Sequence, residues 1–290
     1  MKKAYFKYLL SVLLFGSNGI VASRILMSSY EIVLLRTFIG SLFLFAIYIF
    51  SKTKASEKAG KKDVFFIIIS GVSMGASWMF LYEAYANIGV SLATLSYYCG
   101  PVFVMALSPL VFGEKINGAK LFGFFTVLCG MFLLNNQELY QKGLSWGLFC
   151  GIMSAVTYAF MVIFNKKATG IKGLKNSMYQ LFISFITVGL FVLIKQGVHI
   201  DISTESIAAI LVLGIVNTGI GCYLYFSSIS GLPAQTVAIC GYLEPVSALA
   251  LSAIFLHERL TPIQAAGAVL ILGGAAFGEL YRRRRYKVSN

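Results

Sequence analysis

The sequence predicts an all-α integral membrane protein with ten transmembrane helices in two inverted five-helix repeats. Three observations predict this fold class: the composition, a series of long apolar segments, and landmarks that recur at a constant spacing. Of the 290 residues, 58% are hydrophobic and 12% are charged, whereas soluble domains carry about 25% charged residues. A chain this apolar is expected to lie in lipid, where only helices or closed barrels satisfy the backbone.

Ten apolar segments are long enough to cross a bilayer, which takes about 20 residues in a helix. The longest polar connection runs from Ser51 to Asp63, so little sequence remains for a soluble domain. The first segment also resembles a signal peptide ending in VAS, but its central GSNG interrupts the apolar stretch that such a peptide has, and we predict a retained span. The predicted spans are residues 5–26, 31–50, 64–87, 90–112, 117–135, 144–165, 177–196, 206–229, 233–256 and 261–280.

The basic residues predict the orientation of the chain. If successive connections are assigned to alternate sides of the membrane, nineteen of the 24 Lys and Arg fall on one side, four fall on the other, and Arg36 lies within a span. Basic connections face the cytoplasm, so we predict a multi-pass protein of the inner or plasma membrane with cytoplasmic N- and C-termini. The net charge of +13 also suggests nucleic-acid binding as a hypothesis. The tail Arg282–Arg285 is better explained as an orientation signal contacting anionic lipid, and we predict no nucleic-acid partner.

The cysteines do not form a metal or disulfide pattern. All five lie within apolar spans, no two form a CxxC pair, and no histidine is beside them. Cysteines in such a context usually serve as small buried apolar residues. We therefore predict no metal and no cofactor; the residues concerned are Cys99, Cys129, Cys150, Cys222 and Cys240.

An internal repeat becomes visible when the sequence is shifted by 144 residues. The match is clearest over the last two spans of each half, and we divide the chain into repeats of residues 1–140 and 141–290. The matched pairs are Pro101 with Pro245, Glu114-Lys115 with Glu258-Arg259, Gly123 with Gly267, Gly130 with Gly274, and Arg36 with Gln180.

The number of spans in each repeat predicts that the two repeats are inverted. Five is an odd number, so the second repeat enters the membrane from the opposite side. Two similar bundles are then related by an axis in the membrane plane, as in many secondary transporters. A duplication with a purely structural role is the alternative.

Two stretches resemble the EamA family of the drug/metabolite transporter superfamily. They are LLRTFIGSLFLF, which opens the second span, and YLEPVSALALSAIFLHERLTPIQAAGAVLILGG near the end of the chain. The resemblance covers nearly the whole chain and implies a transporter of small metabolites, often an exporter of amino acids or related compounds. The first repeat has Gly100 where the second has Glu244, so this carboxylate is not a symmetric feature.

Glu244 is the strongest candidate for a functional residue. It is the only charge between Pro233 and Leu256 and lies near the middle of the ninth span. An ionised carboxylate there costs at least about 2.5–3.5 kcal/mol on insertion scales. We predict a wet cavity, a cationic partner or a proton-binding role. The structural alternative is a protonated Glu244 bonded to a carbonyl that Pro245 frees from the helical ladder.

Two further charges lie nearer the outer ends of their spans. Glu83 either contributes to a site or extends to water along its span. Arg36 is predicted to form a structural ion pair with Glu31 or Glu83, with gating as the second possibility.

Aromatic residues are dense around these charges. Trp78, Tyr82 and Tyr85 share one helical face, a pattern more often found in packing or in an interfacial belt.

Other tyrosines lie at the prolines. Tyr97, Tyr98 and Tyr242 are within a turn of Pro101 or Pro245, and we predict that they wall a cavity, where they stack on an apolar group or face a cation. The predicted substrate-binding residues are Asn18, Trp78, Tyr82, Glu83, Thr94, Tyr97, Tyr98, Tyr158, Asn217, Tyr242 and Glu244. For the uncharged members Asn18, Thr94 and Asn217, bonding from helix to helix is the alternative.

Proline and glycine predict where helices bend and where they approach closely. Pro101 and Pro245 each release a carbonyl within a span and are predicted hinges; with Glu244 and Arg36 they form the predicted coupling and gating set. The paired glycines and the stretches GVSMG, GLFCG and GAAFG are predicted to allow close helix packing.

The stretch GVSMG (71–75) also fits the G-x-S-x-G motif of hydrolases. That motif needs a strand-to-helix turn and a histidine base, whereas this stretch lies in an apolar helix and the two histidines, His199 and His257, lie in connections. We therefore predict that the protein is not an enzyme.

The sequence predicts a secondary transporter that exports amino acids or related small metabolites by alternating access. Proton coupling and facilitated diffusion both fit. The alternatives are an importer of organic cations through an aromatic cage and a membrane scaffold that transports nothing. The predicted partners are a small-molecule substrate and membrane lipid, and the predicted assembly is a monomer or homodimer.

Overall fold

A computed structural model describes residues 2–51, 59–88, 90–134, 146–197, 203–255 and 261–288. Within these ranges the chain forms helices joined by short connections, and no β-strand is present. The predicted landmark Glu258-Arg259 and the two histidines lie outside the described residues.

The helices of the first predicted repeat begin near the N-terminus and end at Leu134. They are α1 (Lys2–Gly16), α2 (Asn18–Ala22), α3 (Ser29–Phe50), α4 (Lys61–Ile88), α5 (Val90–Tyr97), α6 (Gly100–Phe112) and α7 (Gly118–Leu134). A capping box begins α3, in which Ser28 and Glu31 satisfy each other's backbone N–H groups. The spacing of a serine and a glutamate three residues apart is the sequence signature of this motif.

The helices of the second repeat include one segment of π-helix. They are α8 (Trp146–Lys167), α9 (Gly173–Gln196), a 3₁₀ turn (Thr204–Ser206), α10 (Ile207–Val212), the π-helix (Leu213–Ile220), α11 (Gly221–Ile229), α12 (Ala234–Gly241), α13 (Leu243–Phe255) and α14 (Pro262–Val288).

Seven of the predicted spans correspond to helical segments that are long and apolar enough to cross a membrane. By length and composition these are Lys2–Ala22, Ser29–Phe50, Lys61–Ile88, Trp146–Lys167, Gly173–Lys195, Thr204–Ile229 and Ala234–Phe255. Shorter apolar helices lie at the other three predicted places, over Gly100–Phe112, Gly118–Leu133 and Pro262–Gly278.

The outer surface of the bundle is apolar. Large side chains such as Phe50, Leu110 and Ile194 are more than four-fifths exposed. Exposed apolar surface on this scale is not tolerated in water, and it fits a protein whose outer face contacts lipid.

The fourth and ninth predicted spans are each broken at the same relative position. α5 ends at Tyr97 and α12 ends at Gly241, and the next helix begins at Gly100 in one case and at Leu243 in the other. Pro101 and Pro245 follow the breaks within the first turn of α6 and α13. A proline has no N–H to donate to the carbonyl four residues earlier, so the helical ladder is interrupted at both places.

Most close helix packing joins the two repeats. α3 packs on α9, α4 on α8 and α9, and α7 along α14. α1 packs on α11 and α13, and α6 on α8 and α12. The two repeats therefore meet along an extensive seam rather than standing side by side.

The prediction that glycines allow close approach is confirmed along α7 and α14. A Cβ added to Gly130 would lie 2.6 Å from the carbonyl oxygen of Gly267, and one added to Gly123 would lie 2.5 Å from that of Gly274. Gly71 and Gly75 of the GVSMG stretch pack in the same way against α9. That stretch lies inside α4, with no strand before it.

The cysteine prediction is correct for three residues and wrong for two. Cys150, Cys222 and Cys240 are buried, whereas Cys99 and Cys129 are exposed. Burial cannot be inferred from an apolar context here, because the outward faces of these helices are as apolar as the inward faces.

Candidate functional site

Glu244 lies in the first turn of α13, just after the break in the ninth span. The positive end of the helix dipole favours a negative charge at this place. The side chain is partly exposed, and among the described residues no basic nitrogen lies within 4.0 Å of its carboxylate and no donor bonds to it. The structural alternative, a protonated Glu244 that donates to a carbonyl freed by Pro245, stays a prediction.

The carboxylate of Glu244 faces the seam between the repeats. It is close enough to interact electrostatically with the guanidinium of Arg36 on α3. It also interacts electrostatically with the hydroxyl groups of five tyrosines: Tyr8, Tyr85, Tyr97, Tyr98 and Tyr158. Groups from both repeats thus converge on one carboxylate at the middle of the predicted membrane.

The prediction for the partner of Arg36 is wrong. The carboxylate of Glu31 accepts the N–H of Ser28 in the cap of α3, and that of Glu83 is paired with Lys195. The Arg36 guanidinium instead lies over the ring of Trp78, with its Cζ 4.8 Å from the ring centroid. Both predicted partners of Arg36 are therefore bonded elsewhere: Glu31 within the capping box of α3 and Glu83 to Lys195, which is distant in sequence.

The π-helix holds Arg36 from the other side. The Nε of Arg36 donates to Oγ1 of Thr218 at 3.0 Å, and the Thr218 hydroxyl donates to the carbonyl of Leu213 at 2.7 Å. Single stretches of π-helix are frequent at functional sites. Gly40, one turn beyond Arg36, allows the close approach, because a Cβ there would lie 3.0 Å from Thr218 and 3.1 Å from the Gly214 carbonyl oxygen.

Six tyrosines form a tyrosine cluster along the seam: Tyr8, Tyr97, Tyr98, Tyr158, Tyr225 and Tyr242. The ring centroids of Tyr97 and Tyr158 are 5.4 Å apart, and those of Tyr97 and Tyr98 are 5.6 Å apart. The hydroxyl oxygens of Tyr158 and Tyr225 lie 3.3 Å from each other. Tyr97, Tyr98 and Tyr158 are partly exposed, and all three lie within electrostatic range of Glu244.

Tyr242 lies behind this surface rather than on it. It is completely buried, with 0% of its side chain exposed, and its hydroxyl donates to the carbonyl of Tyr98 at 2.7 Å. Tyr8 of α1 makes a similar bond to the ninth span, donating to the carbonyl of Val237 within α12 at 2.7 Å. The two phenols tie the broken spans to their neighbours, so Tyr242 braces the site in this conformation and does not line it.

The remaining aromatic stripe on α4 is divided between two environments. Trp78 and Tyr82 pack with α3 and α9, whereas Tyr85 packs with α5 and α8. Tyr85 also makes a 3.3 Å contact through its hydroxyl with Thr94. Trp78 and Tyr85 thereby reach the surroundings of Arg36 and Glu244 from two directions.

Asn18 begins α2, and the side chain of Asn217 reaches the break between α1 and α2 from the π-helix. Asn217 is buried and donates to the carbonyl of Leu14 and the hydroxyl of Ser17, which matches the helix-to-helix alternative. Asn18 differs, because its Oδ1 is buried and has no hydrogen-bond partner among the described residues.

Glu83 lies at the opposite end of the bundle from the chain termini. Its carboxylate is 2.8 Å from Nζ of Lys195 and accepts the hydroxyl of Tyr30. Its side chain is 14% exposed and that of Lys195 is 47% exposed. In this structure Glu83 joins α3, α4 and α9 at their ends and does not reach the Glu244 carboxylate.

A different set of bonds closes the end that carries the N-terminus, which we name the basic end and define by Lys7, Glu114, Lys166 and Gln235. The carboxylate of Glu114 accepts the backbone N–H groups of Ala234 at 2.7 Å and of Gln235 at 3.1 Å, at the start of α12. Lys120 donates to the side-chain oxygen of Gln235 at 2.7 Å. These bonds fasten the fourth and fifth predicted spans to the ninth.

Lys166 continues the same closure. Its ammonium donates to the carbonyls of Ile229, at 3.0 Å, and of Leu232 at the end of α11. Lys7 of α1 contacts Ser227 at 3.4 Å. The bonds of Lys7 and Glu114 therefore cross between the predicted repeats, whereas those of Lys166 tie α8 to the end of α11 and the segment after it, within the second one.

Comparison with known proteins bears on this arrangement. The model of the EamA-like transporter family matches the chain twice, over residues 2–136 and 145–278. The chain belongs to the EamA-like transporter family. Membership in this family together with the apolar helices establishes a multi-pass membrane transporter rather than an enzyme.

Two relatives illustrate what this EamA-like protein is similar to. The uncharacterized transporter YxxF of Bacillus subtilis is 26% identical over 289 residues, covering 99% of this chain and 92% of the relative. A probable amino-acid metabolite efflux pump of Escherichia coli is 29% identical over 227 residues, covering 72% and 75% of the two chains. A crystal structure of another protein superposes with a TM-score of 0.85 at 17% identity, over 98% of this chain and 99% of that chain, which shows the same fold.

Three residues at the centre of this EamA-like protein were missed by sequence reasoning: Tyr8, Thr218 and Tyr225. Tyr8 lies near the N-terminal end of the first span, where tyrosine usually indicates an interfacial belt. Thr218 and Tyr225 carry hydroxyl groups deep in the eighth span, and this depth was the available signal.

Proposed function

We propose that this EamA-like protein is a secondary transporter that exports amino acids or related small metabolites by alternating access. It would have ten transmembrane helices in two inverted repeats, residues 1–140 and 141–290. The observation that carries the proposal is the partly exposed carboxylate of Glu244, which has no ion-pair partner among the described residues and lies near Arg36 and the tyrosine cluster at the break of a span. Discontinuous helices that present a charged site at the middle of the membrane are typical of secondary transporters.

The packing pattern supports the inverted repeats. If the repeats are exchanged, the pairs α3 with α9 and α7 with α14 map onto themselves, and the pair α6 with α8 maps onto the packed pair α13 with α1. The pair α4 with α8 maps onto the pair of α11 with α1, and both are packed. The double match of the family model supports the same division of the chain.

The relatives support the substrate class. Proteins of Escherichia coli and Salmonella typhimurium, each 29% identical to this chain over part of its length, are named probable amino-acid metabolite efflux pumps. The charge distribution supports cytoplasmic termini in the inner or plasma membrane. We propose a small-molecule substrate and lipid as partners, with the protein acting as a monomer or homodimer.

Alternating access would require the two ends to close in turn. The bonds from Glu114 and Lys166 close the basic end here, and Glu83 with Lys195 ties α4 to α9 at the other. The breaks before Pro101 and Pro245 lie between these ends and would let α5 and α12 move without disturbing α6 and α13. The Glu114 bonds at one end and the Glu83–Lys195 pair at the other each join different repeats, so breaking one of them would open one side.

The two other sequence hypotheses are less well supported. A buried guanidinium beside Glu244 repels an organic cation, which disfavours a cation importer. A scaffold with no transport role has no need of an unpaired carboxylate at the middle of the membrane, where its retention is costly.

The test is a flux assay in liposomes with purified protein and each of the twenty L-amino acids. We expect at least one to be transported, and Glu244→Gln to reduce its initial rate at least tenfold, which corresponds to about 1.4 kcal/mol of lost stabilisation. The control is Glu205→Gln, because Glu205 is exposed and lies in the turn before α10. If Glu244→Gln leaves both the rate and its response to a pH gradient unchanged, Glu244 has no part in the mechanism.

A further inference from the structure

We propose that Arg36 binds the carboxylate of a zwitterionic substrate whose ammonium is bound by Glu244. This inference rests on the proposed function and deepens it, since it states which chemical groups a substrate must carry. It also gives Arg36 a role in specificity in place of the structural ion pair predicted from the sequence.

The first observation is that Arg36 is a buried cation without an anion. Its side chain is 6% exposed, and no carboxylate of the described residues lies within 4.0 Å. Of its nitrogens only Nε makes a hydrogen bond in the described part of the chain, to Thr218. A guanidinium carries five N–H donors, so the four on its two terminal nitrogens remain for another partner.

The second observation is that the surroundings of Arg36 leave one edge for that partner. Thr218 occupies Nε at 3.0 Å and Trp78 covers a face of the guanidinium at 4.8 Å. The terminal nitrogens therefore form the available edge. Two parallel N–H donors match the two oxygens of a carboxylate, and this bidentate pairing is both strong and specific in geometry.

The third observation is the relation between Arg36 and Glu244. The two side chains come from α3 and α13, one from each repeat, and they interact electrostatically without direct contact. An α-amino acid carries a carboxylate and an ammonium on one carbon, so it can pair with both at once. A bound amine would leave Arg36 without an anion, and a bound carboxylic acid would leave Glu244 without a cation. Both are disfavoured, because a buried charge left unpaired is strongly unfavourable.

The surroundings of the two charges suit the rest of such a substrate. Tyr97, Tyr98 and Tyr158 lie in electrostatic range of Glu244 and are partly exposed. Their rings offer apolar surface and their hydroxyl groups offer hydrogen bonds. The charged pair therefore selects the amino-acid backbone, while the tyrosines accommodate the side chain.

The experiment compares three probes in liposomes: the L-amino acid that the native protein transports fastest, the amine that lacks its carboxylate, and the acid that lacks its amino group. Flux through empty liposomes is subtracted for each probe. We expect the native protein to prefer the amino acid at least tenfold over both. Arg36→Gln should slow the amino acid at least tenfold while slowing the amine less than twofold. The control is Lys62→Gln, which removes an exposed cation at the start of α4 and should keep the native preference.

The outcomes separate this inference from the proposed function. If the native protein transports amino acids but carries the amine equally well, or if Arg36→Gln keeps the native preference, the inference is wrong and the proposed function stands. If no amino acid is transported, both fail.

A second measurement uses only the native protein and tests the inference even if the Arg36→Gln variant does not fold. Ligand bound to the native state raises its apparent thermal stability. The amino acid should therefore raise the Tm of the native protein in detergent, whereas its methyl ester, which has no carboxylate, should not. An equal shift with the ester would overturn the inference.

Discussion

The guanidinium of Arg36 lies between groups that are far apart in the sequence. Trp78 is 42 positions away and Thr218 is 182 positions away. The sequence indicated a buried cation that needs a partner, and it suggested the nearest acids. It could not show that Glu31 is used by the cap of α3 and Glu83 by Lys195, although the spacing of Ser28 and Glu31 was a readable capping box.

At the residue scale we predict that the hydroxyl of Thr218 is needed to hold Arg36. Thr218→Val keeps the shape of the side chain and leaves Nε of Arg36 without its acceptor. Hydrogen bonds between membrane helices contribute about 0.6 kcal/mol on average and at most about 1.7 kcal/mol, and we expect a loss of stability in this range. Thermal unfolding in detergent measures it, and the same variant should have a raised KM for the amino acid.

The matched control for Thr218 is Thr218→Ser, which keeps the hydroxyl and removes one methyl group. It should lie close to the native protein in both measurements. Equal behaviour of the serine and valine variants would show that the hydroxyl does not position Arg36.

At the element scale, the sequence predicts the breaks in the fourth and ninth spans but not the π-helix. Pro101 and Pro245 lack the N–H that would continue the ladder, and this covalent property is visible in the sequence. The π-helix over Leu213–Ile220 contains no proline, and its geometry depends on packing against α3. The position of Thr218, and with it the setting of Arg36, was therefore beyond local sequence reasoning.

The glycine pair Gly273 and Gly274 gives a prediction for the packing of α7 on α14. A Cβ on Gly274 would lie 2.7 Å from the carbonyl oxygen of Gly123, whereas a Cβ on Gly273 would meet nothing within 4 Å. Gly274→Ala should therefore lower the Tm. Gly273→Ala should leave it unchanged or raise it, because alanine is favoured over glycine in a helix by about 1 kcal/mol.

The two variants differ by one position and carry the same substitution, so each controls for the other. Thermal unfolding in detergent compares them directly. If Gly273→Ala were the more damaging of the two, the close approach of α7 and α14 at Gly274 would be contradicted.

At the scale of the whole molecule, composition and apolar segments predicted an all-helical membrane protein, and the resemblance of two sequence stretches predicted the EamA family. The internal repeat led to the proposed inversion, but it did not predict which helices pack together. Glu114 illustrates the gap: the repeat marked it as a landmark, yet its bonds to the start of α12 became visible only in three dimensions. Contacts of this kind depend on the global arrangement and leave no local pattern.

The most direct test of the central proposal is to label two equivalent positions from a known side of the membrane. Gly118 and Pro262 are 144 residues apart, both are exposed, and they begin α7 and α14. Each is replaced singly by cysteine in a protein whose five native cysteines are changed to alanine, and intact cells are treated with a maleimide that cannot cross the membrane. Inverted repeats predict labelling of position 262 from outside and of position 118 only after permeabilisation; labelling of both positions from the same side would contradict the account.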